Sequence, residues 1–173
     1  MISSKSQAAQ YHQYPEIKPV LSGTDAGRVS DFLLGDHCFD DQRFTPGEVE
    51  QIRWLPVRSM VEDHIHCWYE EDNGEIVSAI IFQENEHRSG GYRLEYIGVH
   101  RAYRNRKLAY KLMDAMFKFC RAMQGRYIET FTCDLPEYAS ARKLFEQNDF
   151  KFLCHMPEYY YPGEGKLVYL KML

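Results

Sequence analysis

The sequence has no Cys-x-x-Cys pair, and its five cysteines (Cys38, Cys67, Cys120, Cys133 and Cys154) are odd in number and widely spaced. That pattern argues against a disulfide framework and against a zinc ribbon, so they read as reduced thiols that mostly fill the core. No apolar run approaches the length of a membrane-spanning helix. The N-terminus has no basic, then apolar, then small-residue leader, so the cytoplasm is the expected compartment. A positive excess is missing too: the formal charge is −4 over 173 residues. A general nucleic-acid binder would be basic, so neither nucleic acid nor membrane is an expected partner. Charge is also missing locally. Ser59 to His87 has no Lys or Arg but holds Glu62, Asp63, Glu70, Glu71, Asp72, Glu75, Glu84 and Glu86. Tyr96 to Met113 has no Asp or Glu but holds Arg101, Arg104, Arg106, Lys107 and Lys111. The first run suits attraction of a cation and the second reception of an anion, unless both are solvated faces.

What is present is an ordinary globular composition, 45% apolar and 27% charged, which at this length suits one domain. Residues 1–20 have no apolar period and read as a tail or edge segment; 21–173 form the expected domain. Residues 24–35 suit a short helix ended by glycine. Thr45-Pro46-Gly47-Glu48 has the cap, the proline and the third-position glutamate of a helix start, and that helix is expected to reach about Val61. Strands are expected at 64–69, 76–84 and 92–99, with Asn73-Gly74 as a hairpin turn. Apolar positions 108, 112, 115, 116, 119 and 123 have helical spacing, with Gly125 as the expected terminator. A strand at 127–133, a helix at 140–148 and strands at 150–155 and 166–172 follow, the last two joined by a loop with Pro162-Gly163. The order predicts a mixed α/β (α+β) domain with one central sheet: an antiparallel meander, then a βαβ unit.

The informative junction is Val99-His-Arg-Ala-Tyr-Arg-Asn-Arg-Lys-Leu-Ala109, where a strand ends and a helix begins. A helix N-terminus exposes unpaired N–H groups and partial positive charge, which suit phosphate. Arg101, Arg104, Arg106 and Lys107 crowd the same turn; the plainer alternative is a basic loop that merely caps a helix. His64 and His66 share a strand face, but nothing at ligand spacing completes a metal site, and none is expected. Cys133 has no histidine nearby in the pattern and reads as a small buried apolar group.

The junction resembles the acetyl-CoA signature of the GNAT superfamily of N-acetyltransferases: a strand ending in Val, a spacer, then Arg/Gln-x-x-Gly-x-Gly/Ala opening a helix. Arg104 matches its first position and Ala109 its last. Ala141-Arg-Lys-Leu-Phe-Glu-Gln-Asn-Asp-Phe150 is similar to a later family segment, and Glu158-Tyr-Tyr-Tyr-Pro-Gly-Glu-Gly to the family's closing hairpin. The resemblance implies helices on both faces of the sheet, with middle strands 92–99 and 127–133 splayed around a pantetheine arm. It implies acetyl-CoA as donor, held by Ile97, Gly98, Val99, Arg104, Asn105, Arg106, Lys107, Leu108, Ala109 and Phe145. It implies a primary amine as acceptor, either a small cationic amine or a peptide N-terminus, and it allows a homodimer paired through the final strand. Three residues depart from the pattern: Lys107 replaces a glycine, Phe145 a tyrosine that often protonates the leaving thiolate, and Tyr138 an asparagine. They keep open a non-catalytic acyl-CoA-binding domain on the same fold.

The chemistry needs an uncharged amine, hence a base or a water relay, and a donor for the developing oxyanion. Glu95 interrupts an apolar stretch and, by period two, is expected on the face of Val99; its alternatives are a pairing with Arg93 or exposure to solvent. Glu129 is the second candidate base. Tyr138 and Tyr160, with Tyr159 and Tyr161 beside them, are candidate proton donors; three tyrosines before Pro162 also suit a packed hairpin.

Overall fold

The protein is described by a computed structural model over residues 14–173. Residues 1–13 of the expected tail lie outside that range. Thirteen elements follow in order, of which eleven are regular strands and α-helices: β1 (Lys18–Pro19), α1 (Gly23–Leu34), α2 (Pro46–Arg58), β2 (Ile65–Asp72), β3 (Glu75–Glu84), β4 (Gly91–Val99), α3 (Leu108–Ala122), β5 (Tyr127–Cys133), α4 (Ala139–Gln147), β6 (Lys151–Tyr161) and β7 (Glu164–Met172). Short 3-10 turns at Arg101–Tyr103 and Pro136–Tyr138 precede α3 and α4. The strands form one seven-stranded sheet in the order β1-β2-β3-β4-β5-β7-β6. The β4–β5 pair is parallel and the others antiparallel. No helix among the described residues is long and apolar enough to cross a membrane.

Each face of the sheet has its own core. Ala26, Val29 and Leu33 of α1 and Ile52 and Leu55 of α2 meet Ile65, Cys67, Ala79 and Ile81 on one face. Leu112, Met116 and Phe119 of α3 and Phe145 of α4 meet Trp68, Phe82, Leu94 and Tyr169 on the other. Period-two alternation on β2 and β3 supplies both layers from the same strands. Helix starts follow their local chemistry. Thr45 and Glu48 form a reciprocal capping box on α2, and Ser22 accepts from the Asp25 amide to cap α1. Pro56 lies inside α2 and has no N–H for the Ile52 carbonyl; the buried Ser30 hydroxyl donates to that oxygen at 2.9 Å. The proline thereby ties α2 to α1.

Three expectations are corrected. Gln124, not Gly125, takes the left-handed position after α3 (φ 59°). Gly125 follows it, sending its N–H to the Cys120 carbonyl at 2.7 Å, where a Cβ would lie 2.8 Å from that same oxygen. This six-to-one bond closes a Schellman motif. The expected loop after His155 is mostly strand: β6 runs to Tyr161 and turns at Pro162-Gly163. Pro157 is tolerated because β6 is an edge. α2 ends at Arg58, before the expected Val61.

Two backbone positions bear on the site. A Cβ at Gly98 would lie 2.2 Å from Cys38 Sγ and 3.1 Å from Leu33 Cδ2. Gly98→Ala is therefore expected to cost about 1–3 kcal/mol in urea unfolding, with Cys38→Ala in the same chain recovering most of the loss. Lys107 is left-handed at φ 61°, a conformation that costs a side-chain-bearing residue roughly 1–2 kcal/mol. Lys107→Gly is expected to stabilise by about 0.5–1 kcal/mol in the same measurement, the looser unfolded chain offsetting part of the relief.

Candidate active site

The site begins where two strands part. β4 and β5 pair over four residues, from Gly91 with Tyr127 to Leu94 with Thr130. Beyond that point β4 stays with β3 as far as Val99, and β5 stays with β7 as far as Cys133. Thr130 Oγ1 donates to the Leu94 carbonyl at 3.2 Å and closes the crotch of the fork. A cavity of about 740 Å³ opens beyond it, bounded by residues 94–99, 130–133, 103–110 and a loop at 38–48.

The fork coincides with a β-bulge. Ile81 pairs with Tyr96 but Phe82 pairs with Leu94, so Glu95 is the extra residue. Its carboxylate accepts from Gln83 Nε2 at 2.6 Å, on the face of Ile81 and Tyr96, where α1 and α2 pack. Ile97 packs on the opposite core, under α3, and Val99 pairs with Ser78, whose hydroxyl reaches Glu70 on that same side. Glu95 and Val99 thus lie on opposite faces, against the expectation from period two, because a bulge inserts one residue into the alternation. The Glu95 side chain is 2% exposed, and the Arg93 guanidinium stands off at 3.9 Å. Burial pushes its carboxyl above the usual glutamate range, only partly opposed by Gln83 and Arg93. Glu129, the second candidate, is held by Arg93 Nε at 2.6 Å and does not line the cavity.

The turn after β4 presents main-chain donors. Asn105 (φ 63°) and Lys107 (φ 61°) are both left-handed and flank Arg106, a concave arrangement of amides suited to anions. The amides of Asn105, Arg106 and Lys107 have no main-chain partner among the described residues. Lys107 is the N-cap of α3 and makes no side-chain cap bond, so the first amides of that helix stay open to a ligand. Ile97, Gly98, Val99, Arg104, Asn105, Lys107, Leu108, Ala109 and Phe145 all line the cavity. Arg106 does not; its guanidinium sits 4.7 Å over the Tyr103 ring. The Arg104 guanidinium is engaged by Asp40 at 2.8 Å and by the Cys38 carbonyl at 2.8 Å. Phe145 is 4% exposed and packs on Phe150 and Tyr169 with ring centroids 5.8 and 5.7 Å apart.

The other end of the cavity comes from the 38–48 loop and the closing hairpin. Asp40, Asp41, Arg43, Phe44 and Glu48 line it, with Tyr138, Tyr160 and Glu164 opposite. No motif marks this loop, and Glu48 carried no signal beyond helix capping. Although burial pushes Asp41 up, the Arg43 guanidinium and amide hold its carboxyl below the usual carboxylate range. Tyr138 donates to Asp41 at 3.3 Å. The Tyr160 hydroxyl has no hydrogen-bond partner among the described residues, and burial raises both phenols. Tyr159 and Tyr161 lie outside the cavity wall. No acid of the run from 59 to 87 reaches that wall: Glu71 pairs with Lys18 and Arg28, and Glu70 with Lys111. His64 precedes β2, whereas His66 lies within it and stacks on Phe82 at 4.8 Å. Cys133 lines the cavity, its thiol raised by burial.

The structure aligns with a GNAT-family acetyltransferase from Desulfovibrio desulfuricans at TM-score 0.77 and 19% identity, over 90% of this chain and 97% of that one. It aligns with an aminoglycoside 6'-N-acetyltransferase complexed with coenzyme A at TM-score 0.70 and 14% identity, over 90% and 96%. A ribosomal-protein alanine N-acetyltransferase from Escherichia coli aligns at TM-score 0.68 and 14% identity, over 90% and 92%. No curated protein matches the chain by sequence. The family model for acetyltransferases of the GNAT family matches residues 33–150, a span that takes in α2, the forked strands, α4 and the left-handed turn before α3, and the chain therefore belongs to the GNAT family of acetyltransferases.

Proposed function

We propose that the protein transfers an acetyl group from acetyl-CoA to the nitrogen of a primary amine by direct attack. The observation that carries this reading is the fork after Leu94 and Thr130, which leads to a helix start with unclaimed amides at Asn105, Arg106 and Lys107. Those amides and the open first turn of α3 suit a diphosphate, with Lys107 adding a cation. The unpaired edge of β4 from Glu95 to Val99 suits the amide-bearing pantetheine arm, which would complete the strand as a partner strand does. Ile97, Gly98 and Val99 border that arm, and a β4 amide is placed to donate to the carbonyl oxygen as it becomes an oxyanion. Leu108, Ala109 and Phe145 form its apolar wall. Arg106 faces solvent and acts on the phosphates only through its amide and its charge.

The reacting nitrogen must lose a proton to attack. Glu95, buried and raised in pKa, receives that proton directly or through water, since a base poised nearer neutrality transfers protons efficiently. The departing sulfur needs a hydrogen-bond donor, and Tyr160 is the free phenol in the wall; Tyr138 is committed to Asp41 and steadies the loop. Asp40, Asp41, Glu48 and Glu164 line this end with Arg43 and Arg104, so four carboxylates outweigh two cations. That favours a cationic acceptor, a small amine or a peptide N-terminus. The relatives named above act on substrates of both kinds by their names. Phe145 in place of a tyrosine supports a second reading, an acyl-CoA-binding domain without turnover.

Calorimetry with CoA, then thiol release from acetyl-CoA with a panel of alkylamines, diamines and alanine-initiated peptides, decides between them. Micromolar CoA binding with turnover on one class is expected. Binding without turnover on any amine would favour the second reading, and no binding at about millimolar CoA, a free energy near −4 kcal/mol, would refute both. Glu95→Gln is expected to lower turnover about 10²-fold or more while sparing CoA affinity; an unchanged pH–rate profile would remove Glu95 from the chemistry. Its stability has a signed pH dependence. The folded protein holds the Glu95 proton above the ordinary value of 4.5, so ionisation opposes folding as pH rises from that value through the raised one. Glu95→Gln should therefore gain thermal stability relative to the parent over that window, and a gap that is flat with pH would contradict the buried acid.

A further inference from the structure

Arg104 opens the signature and is the residue a motif reading sends to the phosphates. A guanidinium has five N–H donors in a fixed fork, and here three bonds are already made. Nη1 donates to both Asp40 oxygens at 2.8 and 3.1 Å, and Nη2 to the Cys38 carbonyl at 2.8 Å. Arg101 grips the same segment: its amide donates to the His37 carbonyl at 2.7 Å, and its guanidinium lies 3.6 Å from Asp40. Beneath, the bare Cα of Gly98 leaves the space that Cys38 Sγ fills.

The far end of this segment is fastened too. Arg43 reaches Glu164 at 2.8 Å, Asp41 accepts from Arg43 at 3.2 Å, and Tyr161 donates to the Phe44 carbonyl at 3.4 Å. Residues 37–44 thus run as a strap from the turn before α3 to the β6–β7 hairpin, forming the acceptor-side wall. We infer that Arg104 is a positioning residue that acts through Asp40 to hold this strap, and that its guanidinium is not a phosphate ligand. This rests on the assignment of the cavity to acetyl-CoA and an amine. A diphosphate reaching for the guanidinium would have to displace a bidentate carboxylate and a carbonyl, while free amides wait one residue further on. The pair serves the acceptor side: losing either partner loosens the acceptor wall and leaves the amide cradle in place.

The full-length chain is compared with Asp40→Asn, Arg104→Ala and the double variant by CoA calorimetry at low and high salt. Native trypsin cleavage after Arg43, whose side chain is 59% exposed, is followed by mass spectrometry. Each single variant should speed that cleavage by about fivefold or more, and the double variant should be no faster than the faster single one, as for two ends of one interaction. CoA affinity should stay within about threefold with its salt dependence kept, since that dependence reflects charge contacts to the phosphates. With 1,5-diaminopentane as probe amine, the KM for amine should rise about fivefold while that for acetyl-CoA moves less than about twofold. Arg104→Lys, the gentler change should Arg104→Ala fail to fold, keeps the charge on a single donor nitrogen but loses the planar fork, and should restore part of the protection. An unchanged cleavage rate would overturn the proposal. So would a roughly tenfold loss of CoA affinity with a flatter salt dependence in Arg104→Ala alone, which would make the residue a phosphate ligand. A parent chain that ignores CoA would refute the cofactor reading instead, and the cleavage rates would still decide the strap.

Discussion

The parting of β4 from β5 is the constraint on which the rest of the site depends. A parallel pair that stops after Leu94 and Thr130 leaves a run of strand edge inside the molecule, and unpaired backbone there is costly. Two local devices hold the fork open. The bulge at Glu95 adds a residue to β4 and increases its twist, turning the strand away from β5. Thr130 spends its hydroxyl on the Leu94 carbonyl, which would otherwise seek the next rung. The free edge is tolerable when a ligand with its own amides supplies the missing rung, so under the proposed function the fork is at once a local destabilisation and a binding surface. α3 begins nine residues past the end of β4, and its position at the mouth follows from where β4 is released.

Strain is concentrated at that mouth. Asn105 and Lys107 both sit in left-handed backbone, a conformation costing roughly 1–2 kcal/mol for each. Neither is glycine, so the turn persists because its surroundings hold it. His100 Nδ1 accepts from the Ala102 amide at 3.1 Å, Tyr103 donates to Asp72 at 2.7 Å, and the strap holds Arg101 and Arg104. Turning successive amides inward requires positive φ at alternate residues, which explains why a glycine would be at ease at 107. Lysine there exchanges backbone ease for a charge at the same place.

Much of this was legible in the sequence because the signals are local. The capping box at Thr45 and Glu48, the Asn73-Gly74 turn and the helical period of α3 each lie within a few residues. The turn from Val99 to Ala109 stands out in the sequence through its density of cations and its missing acids. What was hidden depends on partners distant in the chain. The bulge at Glu95 cannot be read from Leu94–Val99, because the extra residue exists only relative to β3. The segment 38–44 carries no motif and becomes a wall only when Arg104, over sixty residues away, binds Asp40 and Cys38. Gly125 is the terminator a sequence suggests because glycine is the usual left-handed residue, yet here its value is the space it leaves for Cys120 and Tyr92.

The charge blocks show how linear patterning can mislead about a site. The acidic run from 59 to 87 and the basic run from 96 to 113 do meet, but behind the cavity. Glu70, 4% exposed, pairs with Lys111 in the opening turns of α3 at 2.5 Å, and Ser78 donates to its other oxygen at 3.2 Å. A buried ion pair loses much of its Coulomb gain to desolvation, so this one matters less for stability than for fixing where the helix starts relative to the released end of β4. The acceptor end takes its acidity instead from Asp41, Glu48 and Glu164, on the 38–48 loop, α2 and the closing hairpin. Half-buried carboxylates that line a cavity draw in a protonated amine, yet the reaction consumes the neutral form. Under the proposed chemistry the two demands are met by different groups: the carboxylates at the rim attract the cation, and a more deeply buried one, Glu95, whose own proton is held more tightly, accepts the proton at the point of attack.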